Sequence, residues 1–185
     1  MEPIKTLSKR HLCKANEFLS VEIHEVEFPG GSRVDDWPWV IAPDYVNVVV
    51  RTTEGRFPVF RQRKYAVDGI TLAPVGGHID GGEEPLAAAK RELLEETGLV
   101  APVWRHLMTS RGDANRGMCM AHFYLALDAE PGGEPTADDL EEQELLDLSR
   151  AELASALDAG EFKCVGWVAA VALALRALEA EGHLW

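Results

Sequence analysis

Cysteine, positive charge and long apolar runs are all scarce in this sequence. Its three cysteines, Cys13, Cys119 and Cys164, are widely separated and form no CxxC pair. That argues against a disulfide scaffold and a structural zinc site, and predicts small buried or half-buried thiols in a reducing compartment. The most apolar stretch, residues 165–175, is shorter than the roughly 20 residues that a membrane-spanning helix needs. The N-terminal residues contain no apolar core of the signal-peptide kind. A cytoplasmic protein with no membrane contact is expected. Lys and Arg number 18 against 31 Asp and Glu, a net charge of −13 at pH 7. Such a field repels a polyanion, which disfavours nucleic acid as a partner but leaves room for a small phosphorylated ligand held through a metal ion.

No repeat or low-complexity tract appears. What is present is core material: 46% of the 185 residues are hydrophobic, enough for one domain of ordinary size. We expect residues 1–40 to form a strand-rich flap or small sheet and residues 41–185 the main domain. Residues 21–28 alternate apolar and polar as a half-buried strand does, and 29–32 form a turn. The β-branched run 46–50 reads as a strand closed by a turn at 53–55. Residues 56–62 are expected as its hairpin partner, with Phe57, Val59 and Arg61 on one face. Short strands are expected at 70–73, 122–127 and 145–148, and helices at 150–159 and 164–181. The last helix is apolar nearly all round, so it is a core helix or one shared with a second subunit. Strands and helices in this order give a mixed α/β (α+β) fold, a sheet with helices on its faces.

The most informative segment is a glycine-rich loop, residues 76–82, followed by a helix over 84–97. Pro85 suits the first helical turn and Gly98 the left-handed residue that ends it. At about 100° per residue, Glu92, Glu95 and Glu96 share one face, with Ala88 and Ala89 beside them. Leu86, Leu93 and Leu94 form the expected core stripe. Like charges at this spacing destabilise an isolated helix by about 0.2–0.5 kcal/mol per pair. One reason for them is a hard divalent cation, which takes oxygen ligands and bridges to phosphates; another is a solvated face relieved by Lys90 and Arg91. The loop favours the first reading, because its glycines let backbone groups approach an anion or metal closely. A carbonyl at Gly76 adds an oxygen ligand, and Glu83 is placed to accept from Arg91, fixing loop to helix.

Gly77, Glu83, Arg91-Glu92-Leu93, Glu95-Glu96 and Gly98-Leu99 fit the signature of the Nudix hydrolases at all nine specified positions over 23 contiguous residues. The resemblance implies a mixed β-sheet sandwiched between α-helices, and hydrolysis of a nucleoside diphosphate linked to another moiety. It also implies Mg²⁺ or Mn²⁺ held by Glu92 and Glu96 with the Gly76 carbonyl, and Glu95 as a further ligand or water-orienting group. Arg91 then orients the carboxylates, Glu83 supports them from behind, and Gly77 permits the loop conformation.

Outside this box the chain resembles the ADP-ribose and nucleotide-sugar diphosphatase branch, through residues 42–49, Phe60-Arg-Gln-Arg-Lys-Tyr65 and the run 87–93. That likeness implies Arg61 and Arg63 near the diphosphate and a general base on the late acidic loop. Asp139, Glu141 and Glu142 are the candidates there, with Glu141 favoured by its distance to the following strand. The proline-containing loop usual in ADP-ribose hydrolases is replaced by Thr109-Ser-Arg-Gly-Asp-Ala-Asn-Arg-Gly117, so ADP-ribose itself is in question, and Arg111 and Arg116 are candidates to meet phosphate. Trp37 and Trp39 either stack on a base or pack the N-terminal section. The expected activity is Mg²⁺-dependent cleavage of an ADP-sugar, by a homodimer acting on a small nucleotide substrate. The alternatives are a catalytically silent nucleotide sensor and a house-cleaning nucleoside triphosphate pyrophosphatase.

Overall fold

A computed structural model describes residues 1–136 and 142–180. The chain forms two compact units, Met1–Asp44 with Ser110–Met120, and Tyr45–Thr109 with Ala121–Trp185. In the first unit, β1 (Lys5–Asn16), β2 (Leu19–Glu27) and β3 (Arg33–Ile41) make an antiparallel three-stranded sheet. The alternation at 21–28 marks β2. Its neighbours gave no such signal: β1 is exposed along its whole length, and β3 carries Pro38 opposite Ile23. Proline is tolerated there because β3 is an edge strand and spends no ladder donor on it. Trp39 stacks on His24 with ring centroids 5.0 Å apart, and Trp37 Nε1 donates to the Asn115 carbonyl at 2.6 Å. Both indoles are therefore engaged within this unit.

The second unit holds β4 (Tyr45–Thr52), β5 (Phe57–Gln62), β6 (Thr71–Ala73), α1 (Pro85–Thr97), β7 (Leu99–Val100), β8 (Val103–Arg111, whose last two residues belong to the first unit), β9 (Met120–Pro131, its first likewise), β10 (Gln143–Leu148), α2 (Arg150–Asp158) and α3 (Val165–Ala180). β4 lies parallel to β9, from Tyr45 opposite Ala121 to Thr52 opposite Ala129. A strand covered on both faces reads as a continuous apolar run, which is why 46–50 shows no alternation. Val46, Val48 and Val50 pack with Tyr124, Ala126 and the Ala88, Ala89 and Leu93 of α1. Val49, Phe123, Leu125 and Leu127 pack with α2 and α3 through Leu153, Ala170, Val171, Ala174 and Leu178. The result is a mixed β structure with helices on both faces, as expected.

Three expectations need correction. β5 is not the hairpin partner of β4; it pairs antiparallel with β10 and β6, because β4 spends its ladder on β9 and on Val75. Of the leucine stripe on α1 only Leu93 is buried; Leu86 and Leu94 are each 37% exposed. The packed face of α1 runs instead through Ala88, Ala89 and Leu93, and Glu92 and Glu96 share that side. Cys13 and Cys164 are exposed and only Cys119 is half-buried; all three are free thiols. No helix among the described residues is long and apolar enough to cross a membrane.

Candidate active site: the Gly76–Gly77 loop and α1

The carboxylates of α1 meet the loop because two backbone bonds dock the loop onto β4 and a third, from backbone to side chain, ties it to the helix. Val46 N–H donates to Gly77 O at 2.9 Å and Val48 N–H to Val75 O at 2.8 Å. Gly76 N–H donates to Glu96 Oε2 at 3.0 Å. The carbonyls on either side of Gly76 O are thus committed to β4, and Gly76 O alternates with them along the segment. Both glycines are required by space. A Cβ on Gly76 would stand 2.2 Å from Val46 O, and one on Gly77 would stand 2.2 Å from Glu92 Oε1. The Glu92 carboxylate occupies the place a side chain at 77 would take.

Arg91 ties the cluster together. Its Nε and Nη2 donate to the two Glu83 oxygens at 3.1 and 3.0 Å. Nη1 donates to Glu92 Oε1 at 2.8 Å and to Glu95 Oε2 at 3.0 Å, and Nη2 to His78 O at 3.0 Å. Bidentate arginine–carboxylate geometry of this sort is stronger than a single ion pair. The bond to Arg91 holds the Glu83 carboxyl below its usual range, with partial burial working against it. Glu92 goes the other way: burial raises it, and Arg91 only partly opposes that. The expected Glu83–Arg91 link between loop and helix is therefore present, and Glu92, Glu95, Glu96, Gly76 and Gly77 lie together.

Among the described residues no three carboxylate, histidine or cysteine side chains converge as a finished metal cage, since Glu92 and Glu95 point at Arg91. The donor set nevertheless suits a hard divalent cation. It offers anionic oxygens, a backbone carbonyl, and a cradle that a Cβ would fill. Asp139 and Glu141 lie outside the described residues. Glu142 is described and lines a cavity of about 750 Å³ with Arg61, Arg63, Lys64, Tyr65 and Glu144. Arg61 Nη1 donates to Glu144 Oε2 at 3.3 Å. Arg111 belongs to the first unit, where Nη1 donates to Gly117 O at 3.0 Å, and Arg116 pairs with Asp113 at 2.8 Å. Sequence reasoning missed Lys64, although the basic run 61–64 was the available signal. It also missed Asn47, the one polar residue within 46–50, which is 3% exposed and whose Nδ2 has no hydrogen-bond partner. Leaving such a donor unpaired costs about 1–3 kcal/mol.

Comparison with known proteins bears on this arrangement. The NUDIX domain model matches residues 42–168. The CMP-5'-(N-acetyl-N-hydroxy-3-aminopropyl)phosphonate hydrolase of Streptomyces rubellomurinus is 34% identical over 121 residues, covering 65% of this chain and 58% of that protein. The chain therefore spans less than two thirds of that relative. The ADP-ribose pyrophosphatase of Bacillus subtilis is 28% identical over 156 residues, covering 83% of this chain and 80% of the relative. The methanol dehydrogenase activator of Bacillus methanolicus is 28% identical over 142 residues, covering 75% and 74%. The crystal structure of an ADP compounds hydrolase superposes with a TM-score of 0.81 over 100% of this chain and 98% of that one, at 21% identity, a likeness of fold. With the loop, the arginine-tied carboxylates and the matching domain model in agreement, this chain belongs to the Nudix family of hydrolases.

Proposed function

We propose that the chain hydrolyses the diphosphate bond of a nucleoside diphosphate linked to a second moiety, an ADP-sugar such as ADP-ribose, giving a nucleoside monophosphate and a sugar phosphate. The observation that carries this reading is the placement of the Glu92 carboxylate in the vacant side-chain position of Gly77, with Glu96 on the Gly76 N–H. Glu92, Glu96 and the Gly76 carbonyl are the residues that would hold Mg²⁺ or Mn²⁺. The bound ion would activate water and neutralise phosphoryl charge. Glu95, 41% exposed at its side chain, is free to turn from Arg91 and orient that water. Arg91 and Glu83 keep the carboxylates aimed at the loop. Arg61 and Arg63 bring positive charge to the cavity where the rest of the substrate would lie, and Arg111 is kept as a candidate phosphate contact on the strength of the sequence alone. Glu141 is our candidate base. The small-molecule substrate, the three free thiols and the net charge of −13 suit a cytoplasmic enzyme that avoids nucleic acid.

A panel of nucleoside diphosphate derivatives, scored with and without Mg²⁺ and with products identified, tests the proposal. ADP-ribose or another ADP-sugar yielding AMP only with the metal is the expected result. Tight binding without turnover would favour a sensor, and pyrophosphate release from a triphosphate would favour a house-cleaning enzyme. The residue 1–40 section and the apolar α3 support a homodimer, which a monomer mass in solution at micromolar concentration would remove.

Glu92 gives the metal requirement a pH signature. Its carboxyl is raised by burial in the folded chain. A raised folded value means that its contribution to stability is full below the ordinary carboxylate pKa and is lost as pH climbs through the folded value. An oxygen-ligated cation needs the ionised form. The rise in Tm caused by Mg²⁺ should therefore be small at the acid end of that window and grow across it. Thermal scans in Mg²⁺ and in EDTA over a pH series check this. A Mg²⁺ increment that stays flat with pH would exclude Glu92 as a ligand.

A further inference from the structure

The unpaired Asn47 amide reaches in two directions. Its Oδ1 lies 3.0 Å from where a Cβ on Gly76 would stand, and its Nδ2 lies 3.2 Å from where a Cβ on Gly166 would stand. Gly166 is the second residue of α3, a helix of 16 residues. Nδ2 is therefore directed at the first turn of that helix. The first bond of α3 runs from Val168 N–H to Cys164 O at 3.0 Å, so the N–H groups of Val165, Gly166 and Trp167 have no acceptor within the helix. Cys164 precedes them, and a thiol is a poor acceptor. The Tyr45 hydroxyl approaches the same glycine, 2.7 Å from its would-be Cβ. An amide and a phenol thus lie beside the first turn of a helix whose leading N–H groups have no helical acceptor, at the positive end of its dipole, where an anionic oxygen is favoured.

The position matters as much as the chemistry. Asn47 touches Gly76 at its other end, so the first turn of α3 lies one amide away from the loop that faces Glu92 and Glu96. Before α3, Lys163 Nζ donates to Asp68 O at 2.7 Å and stands 3.7 Å from a would-be Cβ on Gly69. Gly69 lines the cavity of Arg61. The first turn of α3 thus lies on the face of β4 opposite α1, and just ahead of it Lys163 reaches the rim of the basic cavity.

We propose that the first turn of α3, together with Asn47 Nδ2, is an oxyanion subsite that takes a phosphoryl or phosphonyl oxygen of the substrate. The identity of that ligand rests on the diphosphatase reading; the donors themselves call for an oxyanion of any source. Nδ2 is closed from solvent, and the arriving oxygen takes the place of the Tyr45 hydroxyl. A side chain at 166 would stand 2.7 Å from the Tyr45 hydroxyl and 3.2 Å from Nδ2, so glycine is what lets these two groups close on the turn.

The test is a titration of inorganic phosphate into the full ¹⁵N-labelled chain in EDTA, following the amides of Val165, Gly166 and Trp167 by NMR. Saturable shifts centred on these residues are expected. Asn47→Leu should weaken phosphate by about tenfold without lowering Tm, because it removes an unpaired donor rather than a made bond. Val165→Pro deletes one N–H at a position where helices accept proline, and should weaken phosphate roughly two- to fivefold with helicity kept. Absence of saturable shifts at the first turn of α3 would overturn the proposal. So would an Asn47→Leu protein that loses Tm while its phosphate affinity is unchanged, the mark of a purely structural amide. The titration needs neither metal nor turnover, so a chain that cleaves no diphosphate would sink the activity reading and leave this result to stand or fall by itself.

Discussion

Glu96→Gln should lower kcat/KM toward the best diphosphate substrate on the order of 10²–10³-fold, about 3–4 kcal/mol of transition-state stabilisation. The substitution separates charge from shape. Glutamine keeps an oxygen that can accept the Gly76 N–H, a bond of 3.0 Å in the native chain, so the loop stays docked on β4 through Val46 and Val48. What is lost is the anionic oxygen that a hard cation requires, since neutral amides bind Mg²⁺ far less well than carboxylates. Tm without metal should move little, and the affinity for Mn²⁺, read by its paramagnetic signal, should fall together with kcat/KM. A variant that turns over substrate at the native rate would remove Glu96 from the ligand set and shift the burden to Glu95. Glu92→Gln serves as the companion. It should show the same loss of metal affinity, accompanied by a gain in metal-free stability at neutral pH, because burial disfavours the ionised form of this carboxylate.

Much of this site was legible in the residues because its determinants are local. Pro85, Gly98, the four glycines of residues 76–82 and the carboxylates of α1 lie within a short stretch, and each acts on its near neighbours. Arg91 reaches Glu83, Glu92 and Glu95 within two turns of helix. The parts that could not be read depend on distant chain. Which strand β4 would choose was settled by β9, more than seventy residues on, and the parallel ladder left residues 56–62 to pair elsewhere. Leu86 and Leu94 looked like core on a wheel, but the sheet covers α1 on the side of Ala88, Ala89 and Leu93. That choice brings Glu92 and Glu96 against the loop; a leucine-faced contact would have turned them out to solvent. β1 stayed hidden because an exposed strand has no hydrophobic period to display. Asn47 was visible as a polar residue in an apolar run, but its meaning depends on Gly166, which only the packing of α3 brings beside it.

Alanine at the two loop glycines should separate folding from metal binding. At Gly77 the atoms nearest the added methyl would be those of the Glu92 carboxylate, 2.2 Å away at Oε1 and 2.7 Å at Oε2. That group is the far end of a flexible side chain, so it gives way. The backbone at 77 is not among the positive-φ positions, so alanine adds no conformational strain there. Gly77→Ala should therefore cost only about 1 kcal/mol of stability, a few degrees in Tm for a chain of this size. It should nonetheless expel Glu92 from its place and weaken Mn²⁺ and kcat/KM by about 10²-fold, roughly 2.7 kcal/mol. At Gly76 the methyl would meet Val46 O, part of the backbone, at 2.2 Å. Nothing can rotate aside, and relief requires the loop to part from β4, breaking the bonds that Val46 and Val48 donate. Gly76→Ala should cost about 3 kcal/mol or more, on the order of 6–12 °C in Tm. Thermal unfolding and Mn²⁺ titration of both variants give the comparison. If Gly77→Ala bound the ion as tightly as the native chain, the carboxylate of Glu92 would not be a ligand, and the site would have to be rebuilt around Glu95 and Glu96 alone.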